Sequence, residues 1–163
     1  MMDMRTQALN LGTTFISGSA QSCDFENRSI TLSDGSQLFF ETLIIATGAS
    51  AKYLGLESES KFRGMGVSAC ATCDGFFYRK KKVAVVGGGN SAAEEALYLA
   101  NLAAEVYLIH RRDTLRCEKI QQERLFSNEK IKPVWDTVVT GYVGAKDQGG
   151  LTGLRLKNVK TGE

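Results

Sequence analysis

The sequence predicts an α/β protein in which a central parallel sheet follows a segment of antiparallel strands. Between residues 82 and 109, a short apolar strand, a glycine turn, a helix and a second apolar strand follow one another. This order defines a βαβ unit, which pairs its strands in parallel. Between residues 14 and 40, strand-like runs are instead separated by turns without helices, which is typical of antiparallel pairing.

The bulk composition fits one folded domain, or one domain with part of another. Of the 163 residues, 43% are hydrophobic and 23% are charged, which is close to ordinary globular usage. A net charge of +2 gives no reason to expect a nucleic-acid partner. The sequence has no apolar window long enough to span a membrane and no secretory signal, so we expect a cytoplasmic protein without membrane contact.

The antiparallel segment begins with a helix. Apolar residues at helical spacing predict this helix over residues 2–11, and Gly12 should end it in a left-handed conformation. Short strands should follow at residues 14–16, 29–32 and 37–40, with a turn at 33–35.

A different kind of strand is predicted at residues 42–46. This run is apolar without alternation, which is typical of a strand buried on both faces. Thr47 and Gly48 should end it. The stretch 49–66 then mixes polar residues with glycine, which indicates a connection between two domains.

Three small residues in the βαβ unit predict a nucleotide site. Gly87, Gly89 and Ala92 form the pattern G-x-G-x-x-A between a strand at 83–86 and a helix at 90–104. Gly87 permits the tight turn, Gly89 lets the backbone approach a pyrophosphate, and Ala92 lets the helix pack closely on the strand. The first N–H groups of the helix add a partial positive charge. We therefore predict a Rossmann-like dinucleotide-binding domain.

The residues after the second strand, at 106–109, predict which dinucleotide binds. An NAD site usually has Asp or Glu here, whereas this sequence has His110, Arg111 and Arg112. Guanidinium groups bind a phosphate, which a carboxylate would repel, so we predict NADPH. Arg116 should join them from the first turn of the next helix. A solvated basic turn is the alternative, and a lone histidine such as His110 is more often a packing residue than a catalyst.

The remaining elements should complete the second domain. Asp113 is the predicted cap of a helix over residues 114–126. Two strands should follow at 134–143 and 151–159, joined by a turn at 147–150. Residues 160–163 look like a turn before a further strand. We therefore expect a fragment whose second domain lacks its last strand, which would leave a sheet edge exposed.

Two of the four cysteines form a C-x-x-C pair. Cys70 and Cys73 can close a small ring reversibly, which suits thiol–disulfide exchange, and Asp74 beside them could supply or remove a proton. The alternatives are a zinc site and two idle buried thiols. Zinc would need further ligands at suitable spacing, and the sequence offers none. Cys23 and Cys117 are interpreted as fillers of apolar space.

Taken together, these motifs resemble the low-molecular-weight thioredoxin reductases of bacteria. The resemblance rests on the runs 70–77, 87–96 and 110–113, which occur in the family's order and spacing. The upstream run 43–49 also resembles the strand by which that family leaves its flavin domain. The similarity spans nearly the whole chain.

The resemblance implies a flavoprotein homodimer in which NADPH reduces FAD, FAD reduces the disulfide, and the dithiol reduces thioredoxin. Residues 1–52 would be part of an FAD-binding domain, and residues 53–163 an NADPH-binding domain with the redox pair. Cys73 would face the flavin, Cys70 would exchange with thioredoxin, and Asp74 would be the acid. The cofactor contacts would be Gly87, Gly89, Asn90, Ser91, Ala92, His110, Arg111, Arg112 and Arg116 for NADPH, with Thr47 and Gly48 for FAD.

The sequence also departs from the family pattern. The glycine motif for the FAD pyrophosphate and the Gly-Asp segment that completes the flavin site are both missing from the 163 residues. We therefore expect this chain alone to bind FAD poorly and to be inactive by itself. Two other functions stay open, namely an NADPH-binding module without turnover and a flavoprotein disulfide reductase that serves a peroxiredoxin.

Overall fold

The computed structural model describes residues 4–145, 147 and 149–163. By its internal packing the chain divides into two compact units, Met1–Ala49 and Ser50–Glu163. None of the described helices combines the length and the apolar character that a membrane crossing requires.

The first unit begins with a short helix, α1 (Met4–Asn10). Gly12 ends it as predicted, because its φ is +84° and its N–H donates to the Leu9 carbonyl at 3.0 Å. A left-handed residue just after the last helical residues is a common helix stop. The predicted start at residue 2 lies outside the described residues.

A three-stranded antiparallel sheet follows, with the strand order β1 (Ala20–Asp24), β2 (Ser29–Leu32) and β3 (Gln37–Phe39). The predicted hairpin of β2 and β3 is confirmed. The strand predicted at 14–16 is wrong, and β1 was missed because its five residues are all exposed and show no apolar alternation. The turn after β1 is set by Asp24, whose carboxylate accepts the N–H groups of Glu26 and Asn27 at 3.0 Å each.

The predicted buried strand at 42–46 is also wrong. Residues 40–58 contain no helix or strand, and Ile44 and Ile45 are 85% and 68% exposed. A strand buried on both faces needs a neighbouring strand to satisfy its backbone groups. The described residues of the first unit provide no such neighbour for this run.

The second unit opens with a short helix anchored by a buried carboxylate. Helix α2 (Glu59–Phe62) is a single turn, and Glu59 at its start is buried. The carboxylate accepts hydrogen bonds from the Tyr142 hydroxyl at 2.6 Å and from the amides of Leu54 and Gly55 at 3.0 and 2.9 Å. Residues 54–62, expected to be a plain connection, are therefore fixed to the strand that contains Tyr142.

The C-x-x-C pair lies in the next short helix. Helix α3 (Ala71–Asp74) begins directly after Cys70 and continues into a 3-10 turn at Gly75–Tyr78. Gly75 is buried against the helix that follows, because a Cβ there would lie 3.0 Å from the Leu99 side chain. The disulfide segment is thus packed on the main body of the second unit.

A parallel sheet forms the core of the second unit. Its strands are β4 (Lys82–Val86), β5 (Glu105–Ile109) and β6 (Ile131–Val134), in that order. Helix α4 (Asn90–Ala100) joins β4 to β5, and helix α5 (Lys119–Phe126) joins β5 to β6. Ala93, Ala96 and Ala100 are buried, and their small side chains let α4 lie close on the sheet. The predicted α/β fold with parallel strands is confirmed.

Ion pairs connect the three parallel strands at their amino-terminal ends. Glu105 on β5 lies 3.0 Å from the Lys82 ammonium on β4 and also pairs with Lys132 on β6. The Tyr107 hydroxyl donates to the same carboxylate at 3.0 Å. Lys132, Lys82 and Tyr107 together lower the pKa of Glu105 to about 2. The Glu105 carboxylate is therefore charged at neutral pH, and its ion pairs link the three strands.

The end of the chain forms a hairpin in which β7 (Thr137–Ala145) pairs antiparallel with β8 (Gly150–Asn158). The strand predicted at 134–143 is wrong in its start, because β6 ends at Val134 and a turn precedes β7. Asp136 makes this turn with a φ of +51°, and no glycine marks it in the sequence. The predicted turn at 147–150 includes Gln148, which lies outside the described residues.

Helix α5 begins at Lys119 rather than at residue 114, so the predicted helix start is wrong. The predicted cap, Asp113, instead pairs with Lys160 at 3.0 Å. Residues 114–118 form a loop because Leu115 and Cys117 are buried in the core of the second unit. Two apolar anchors at a spacing of two residues hold this segment in a non-helical conformation.

Candidate functional site

The turn between β4 and α4 brings strand and helix into close contact. The Gly87 N–H donates to the Ile109 carbonyl at 3.0 Å, which ties the turn to the neighbouring strand. A Cβ on Gly87, whose φ is +153°, would lie 2.7 Å from the Ala92 Cβ. Both positions therefore require small residues, as the spacing of the motif predicted.

Gly88 covers a buried histidine, which the sequence pattern had not indicated. A Cβ on Gly88 would lie 2.3 Å from Cε1 of His110, and the ring also contacts Trp135 edge-on. Burial lowers the pKa of His110, and the charges of the three nearby arginines at 111, 112 and 116 lower it further, against a hydrogen bond to the Thr114 backbone that raises it. The ring is therefore neutral at neutral pH and supports the glycine turn by packing.

Gly89 differs from its two neighbours because it faces open space. No heavy atom lies within 4 Å of a Cβ built on it, and it occupies the N-cap position of α4. Asn90 uses its side-chain oxygen to accept the Glu118 N–H at 3.0 Å, while Ser91 is exposed. The N-terminus of α4 thus adjoins the open space at Gly89, a suitable place for an anion.

Three arginines lie near His110, the residue that packs against this turn. The side chains of Arg111, Arg112 and Arg116 are exposed, and none of them forms an ion pair with another residue in the described part of the chain. Arg116 was expected in the first turn of a helix, which is wrong. It lies in the loop before α5, where its N–H donates to the Gly88 carbonyl at 2.6 Å. The loop therefore holds Arg116 directly over the glycine turn.

These groups fit a phosphorylated dinucleotide. The open face of Gly89 and the α4 N-terminus suit a pyrophosphate, and the exposed guanidinium groups suit a further phosphate. No carboxylate occupies the position after β5 where NAD sites usually have one. The neutral His110 lies under the turn and adds no charge.

The cysteine pair forms a disulfide at the start of α3. Cys70 and Cys73 have their Cα atoms 5.3 Å apart. Cys70 is the N-cap residue, and its Sγ accepts the Cys73 N–H at 3.2 Å and lies 3.5 Å from the Thr72 hydroxyl. Hydrogen bonds of this kind stabilise negative charge on sulfur. The hydrogen-bond donors around the disulfide therefore lie at Cys70.

The disulfide and the glycine turn share one helix. The Ala71 N–H donates to the Glu95 carboxylate of α4 at 3.4 Å. An open cleft of about 310 Å³ lies between α3 and the first half of α4. Its lining residues are Thr72, Ser91, Glu94, Glu95 and Tyr98. The redox pair therefore lies along the same helix whose N-terminus forms the candidate phosphate cradle.

Polar and aromatic groups flank the disulfide. Asp74, the predicted acid, is the last residue of α3 and is half-buried. Phe76 and Phe77 follow it and are 65% and 72% exposed, with their rings edge to face. Both aromatics belong to the run 70–77, on which the family resemblance partly rests. Their exposure beside a disulfide was not foreseeable without the fold.

Of the two cysteines interpreted as fillers of apolar space, one is buried as expected and the other is exposed. Cys117 is buried, as expected of a filler of apolar space, and burial raises the pKa of its thiol. Cys23 is exposed, because it lies on the exposed strand β1. Among the described residues, no cluster of three or more His, Cys, Asp or Glu side chains is arranged to hold a metal ion.

The two residues expected to contact FAD, Thr47 and Gly48, are exposed. A Cβ on Gly48 would have nothing within 4 Å. They follow the run that fails to form a strand. The described residues of the first unit therefore do not fit a flavin by themselves.

Comparison with known proteins agrees with this geometry. Residues 4–163 match the family model described as pyridine nucleotide-disulphide oxidoreductase. The thioredoxin reductase of Rickettsia bellii (strain RML369-C) is 51% identical over 165 residues, covering 100% of this chain and 53% of that protein. The thioredoxin reductase of Escherichia coli O157:H7 is 50% identical and is covered to 51% of its length.

Solved structures give the same result. Thioredoxin reductase from Giardia duodenalis superposes with a TM-score of 0.82 at 32% identity, over 98% of this chain and 52% of that one. The enzyme from Lactococcus lactis superposes with a TM-score of 0.73 at 38% identity, over the same shares of the two chains. The chain spans about half the length of the curated relatives it matches. The resemblance to thioredoxin reductases is confirmed, and the chain belongs to the pyridine nucleotide-disulphide oxidoreductase family.

Proposed function

We propose that this chain carries the nucleotide-binding and disulfide-bearing part of an NADPH-dependent thioredoxin-disulfide reductase. The strongest support is that one helix, α4, borders both the candidate phosphate cradle and the disulfide segment. Its N-terminus presents the open cradle at Gly89, and its side holds the Cys70–Cys73 segment through Glu95. The names of the similar proteins support thioredoxin as the acceptor.

The proposed reaction at the disulfide is a two-electron reduction followed by thiol–disulfide exchange. Reduction breaks the S–S bond and takes up two electrons and two protons, of which NADPH oxidation supplies both electrons and one proton. The Cys70 thiolate then attacks the disulfide of oxidised thioredoxin, which forms a mixed disulfide and releases one thioredoxin thiolate. Attack by Cys73 on the Cys70 sulfur restores the pair and releases reduced thioredoxin. Asp74, which follows Cys73 in the sequence, would exchange the protons that this cycle requires.

The nucleotide preference follows from the arginines. Because Arg111, Arg112 and Arg116 present free guanidinium groups beside the cradle, the extra phosphate of NADPH would gain charge-assisted hydrogen bonds that NADH cannot make. The segments 110–112 and 87–92 would together hold the nucleotide. We therefore include a preference for NADPH in the proposal.

The resemblance further implies FAD, a homodimer and a cytoplasmic location, and the proposal includes all three. It also keeps the expected organisation, with residues 1–52 in an FAD-binding domain and residues 53–163 in an NADPH-binding domain. Thr47 and Gly48 remain the candidate flavin contacts. Because both are exposed in the described first unit, we expect activity only in the complete protein.

A turnover assay of the complete protein tests the proposal. We expect NADPH-dependent reduction of thioredoxin, its loss in Cys70→Ser, and a much lower rate with NADH. Cys117→Ser is the matched control, because that thiol is buried and belongs to no disulfide. Full activity of the Cys70→Ser protein would refute the role of the cysteine pair, and nucleotide binding without thioredoxin reduction would favour a binding module.

A further inference from the structure

A single lysine near the end of the chain bridges two carboxylates beside the arginines. The Lys160 ammonium lies 3.0 Å from Asp113 and 2.9 Å from Asp136. Asp113 belongs to the loop after β5, Asp136 to the turn between β6 and β7, and Lys160 to the turn after β8. Three segments that are distant in sequence therefore meet at one cation.

The backbone holds Lys160 in this place. Its N–H and that of Thr161 donate to the Asn158 side-chain oxygen at 2.9 and 3.0 Å. The Val159 N–H donates to the Asp136 carbonyl at 2.6 Å. The turn that carries Lys160 is thus joined to the turn that carries Asp136.

Both carboxylates lie next to the arginine segment. Asp113 directly follows Arg112 in the sequence, and the Asp136 N–H donates to the Arg112 carbonyl at 3.3 Å. Neither carboxylate pairs with an arginine among the described residues, because both are occupied by Lys160. Without the lysine, two negative charges would remain beside Arg111 and Arg112 with no cation of their own.

Such charges would act against a phosphate in two ways. A free carboxylate competes for the guanidinium donors, and it repels the phosphate directly. An Asp or Glu near this position is also what favours the unphosphorylated ribose in NAD sites. By pairing with Asp113 and Asp136, Lys160 offsets the negative charges that would otherwise compete with a phosphate for the arginines.

We propose that Lys160 is a positioning residue for nucleotide specificity, which favours the phosphorylated nucleotide by keeping Asp113 and Asp136 occupied. This inference rests on the NADPH preference in the proposed function. It assigns Lys160 a role that acts through the two carboxylates and not through contact with the nucleotide.

The test is a titration of the full chain with NADPH and with NADH. For Lys160→Met we expect NADPH affinity to fall roughly two- to fivefold, the range that exposed charge pairs support, with NADH affinity unchanged. Lys160→Arg should keep the preference, and Lys157→Met, an exposed lysine on β8, is the matched control. Adding Asp113→Asn to Lys160→Met should restore part of the lost NADPH affinity.

The outcomes separate this inference from the proposed function. Equal affinity of the unsubstituted chain for the two nucleotides would refute the NADPH preference itself. A clear preference that Lys160→Met leaves unchanged would overturn the role of Lys160 alone. Failure to restore any affinity, both with Asp113→Asn and with Asp136→Asn added to Lys160→Met, would equally overturn the inference.

Discussion

Gly88 and Gly89 are adjacent in the turn before α4, but their surroundings are opposite. A methyl group on Gly88 would collide with the His110 ring, whereas one on Gly89 would meet nothing within 4 Å. The φ of Gly89 is −98°, which alanine adopts without strain. The two positions therefore allow a protein-stability effect to be separated from a ligand-binding effect.

We predict that Gly88→Ala lowers the free energy of unfolding by about 1–3 kcal/mol, because the buried ring has to move. Gly89→Ala should cost less than about 1 kcal/mol, the scale of a lost helix cap. It should nevertheless weaken NADPH binding by about tenfold, since the methyl group would occupy the cradle. Urea unfolding and nucleotide titration of both variants measure the difference, and a Gly89→Ala protein that binds normally would contradict the cradle.

At the scale of single residues, the sequence predicted what depends on spacing. The pattern of Gly87, Gly89 and Ala92 identified the turn because each requirement is local to one strand, turn and helix. The packing of Gly88 on His110 was not predictable, because it depends on residues 22 positions apart meeting in the fold. Arg116 lies near the glycine turn as predicted, but in the loop before α5 and not in a helix.

At the scale of elements, the Glu59 carboxylate connects α2 to the β7–β8 hairpin. Burial alone would raise the pKa of Glu59, but hydrogen bonds from the Tyr142 hydroxyl and the Leu54 and Gly55 amides, with the nearby Arg63 charge, outweigh it and lower the pKa below 4.5. A lowered pKa in the folded state contributes stability above pH 4.5, and this contribution is lost as the pH falls through the folded-state value.

We predict that Tyr142→Phe lowers the free energy of unfolding by about 1.5–3 kcal/mol at neutral pH, because it removes a hydrogen bond to a buried charge. The loss should shrink below pH 4.5, where Glu59 is protonated in the unfolded chain. Tyr107→Phe makes the same chemical change beside the more exposed Glu105 and serves as the control. Urea unfolding from pH 7 to pH 3 gives the comparison, and equal losses in both variants at every pH would contradict the prediction.

The elements that the sequence misplaced share a physical cause. Strand β1 has only the small apolar residues Ala20 and Cys23, without alternation, and forms through the Asp24 turn and pairing with β2, so periodicity could not reveal it. The loop before α5 has a helical composition, yet Leu115 and Cys117 bind it to the core. The run 42–46 has the pattern of a strand but finds no partner in the described residues. Local pattern decided the elements only where tertiary contacts agreed with it.

At the scale of the whole molecule, the two units differ in which candidate site residues they contain. The glycine turn, the arginines and the disulfide all belong to Ser50–Glu163. The candidate flavin residues belong to Met1–Ala49 and are exposed. Nucleotide binding is therefore expected of this chain, and flavin binding is not.

We predict that the purified chain, mixed with excess FAD and passed through a desalting column, shows no stoichiometric flavin absorption in the visible range. It should still bind NADPH, with an affinity that added FAD does not change. Free FAD on the same column is the control for carry-over. A stoichiometric flavin band would contradict the expectation that residues 1–49 make no flavin pocket alone.

The small ring closed by the disulfide limits how much oxidation changes the free energy of unfolding. Its ring encloses only Ala71 and Thr72, and the chain-entropy effect of a crosslink is smallest for the shortest rings. The bond also joins residues within one surface turn and leaves the parallel sheet untouched. In the chain-entropy account a ring of this size stabilises the folded state by about 2 kcal/mol, less than a crosslink over a longer loop would. Reduction of the pair should therefore lower the free energy of unfolding by only about that amount.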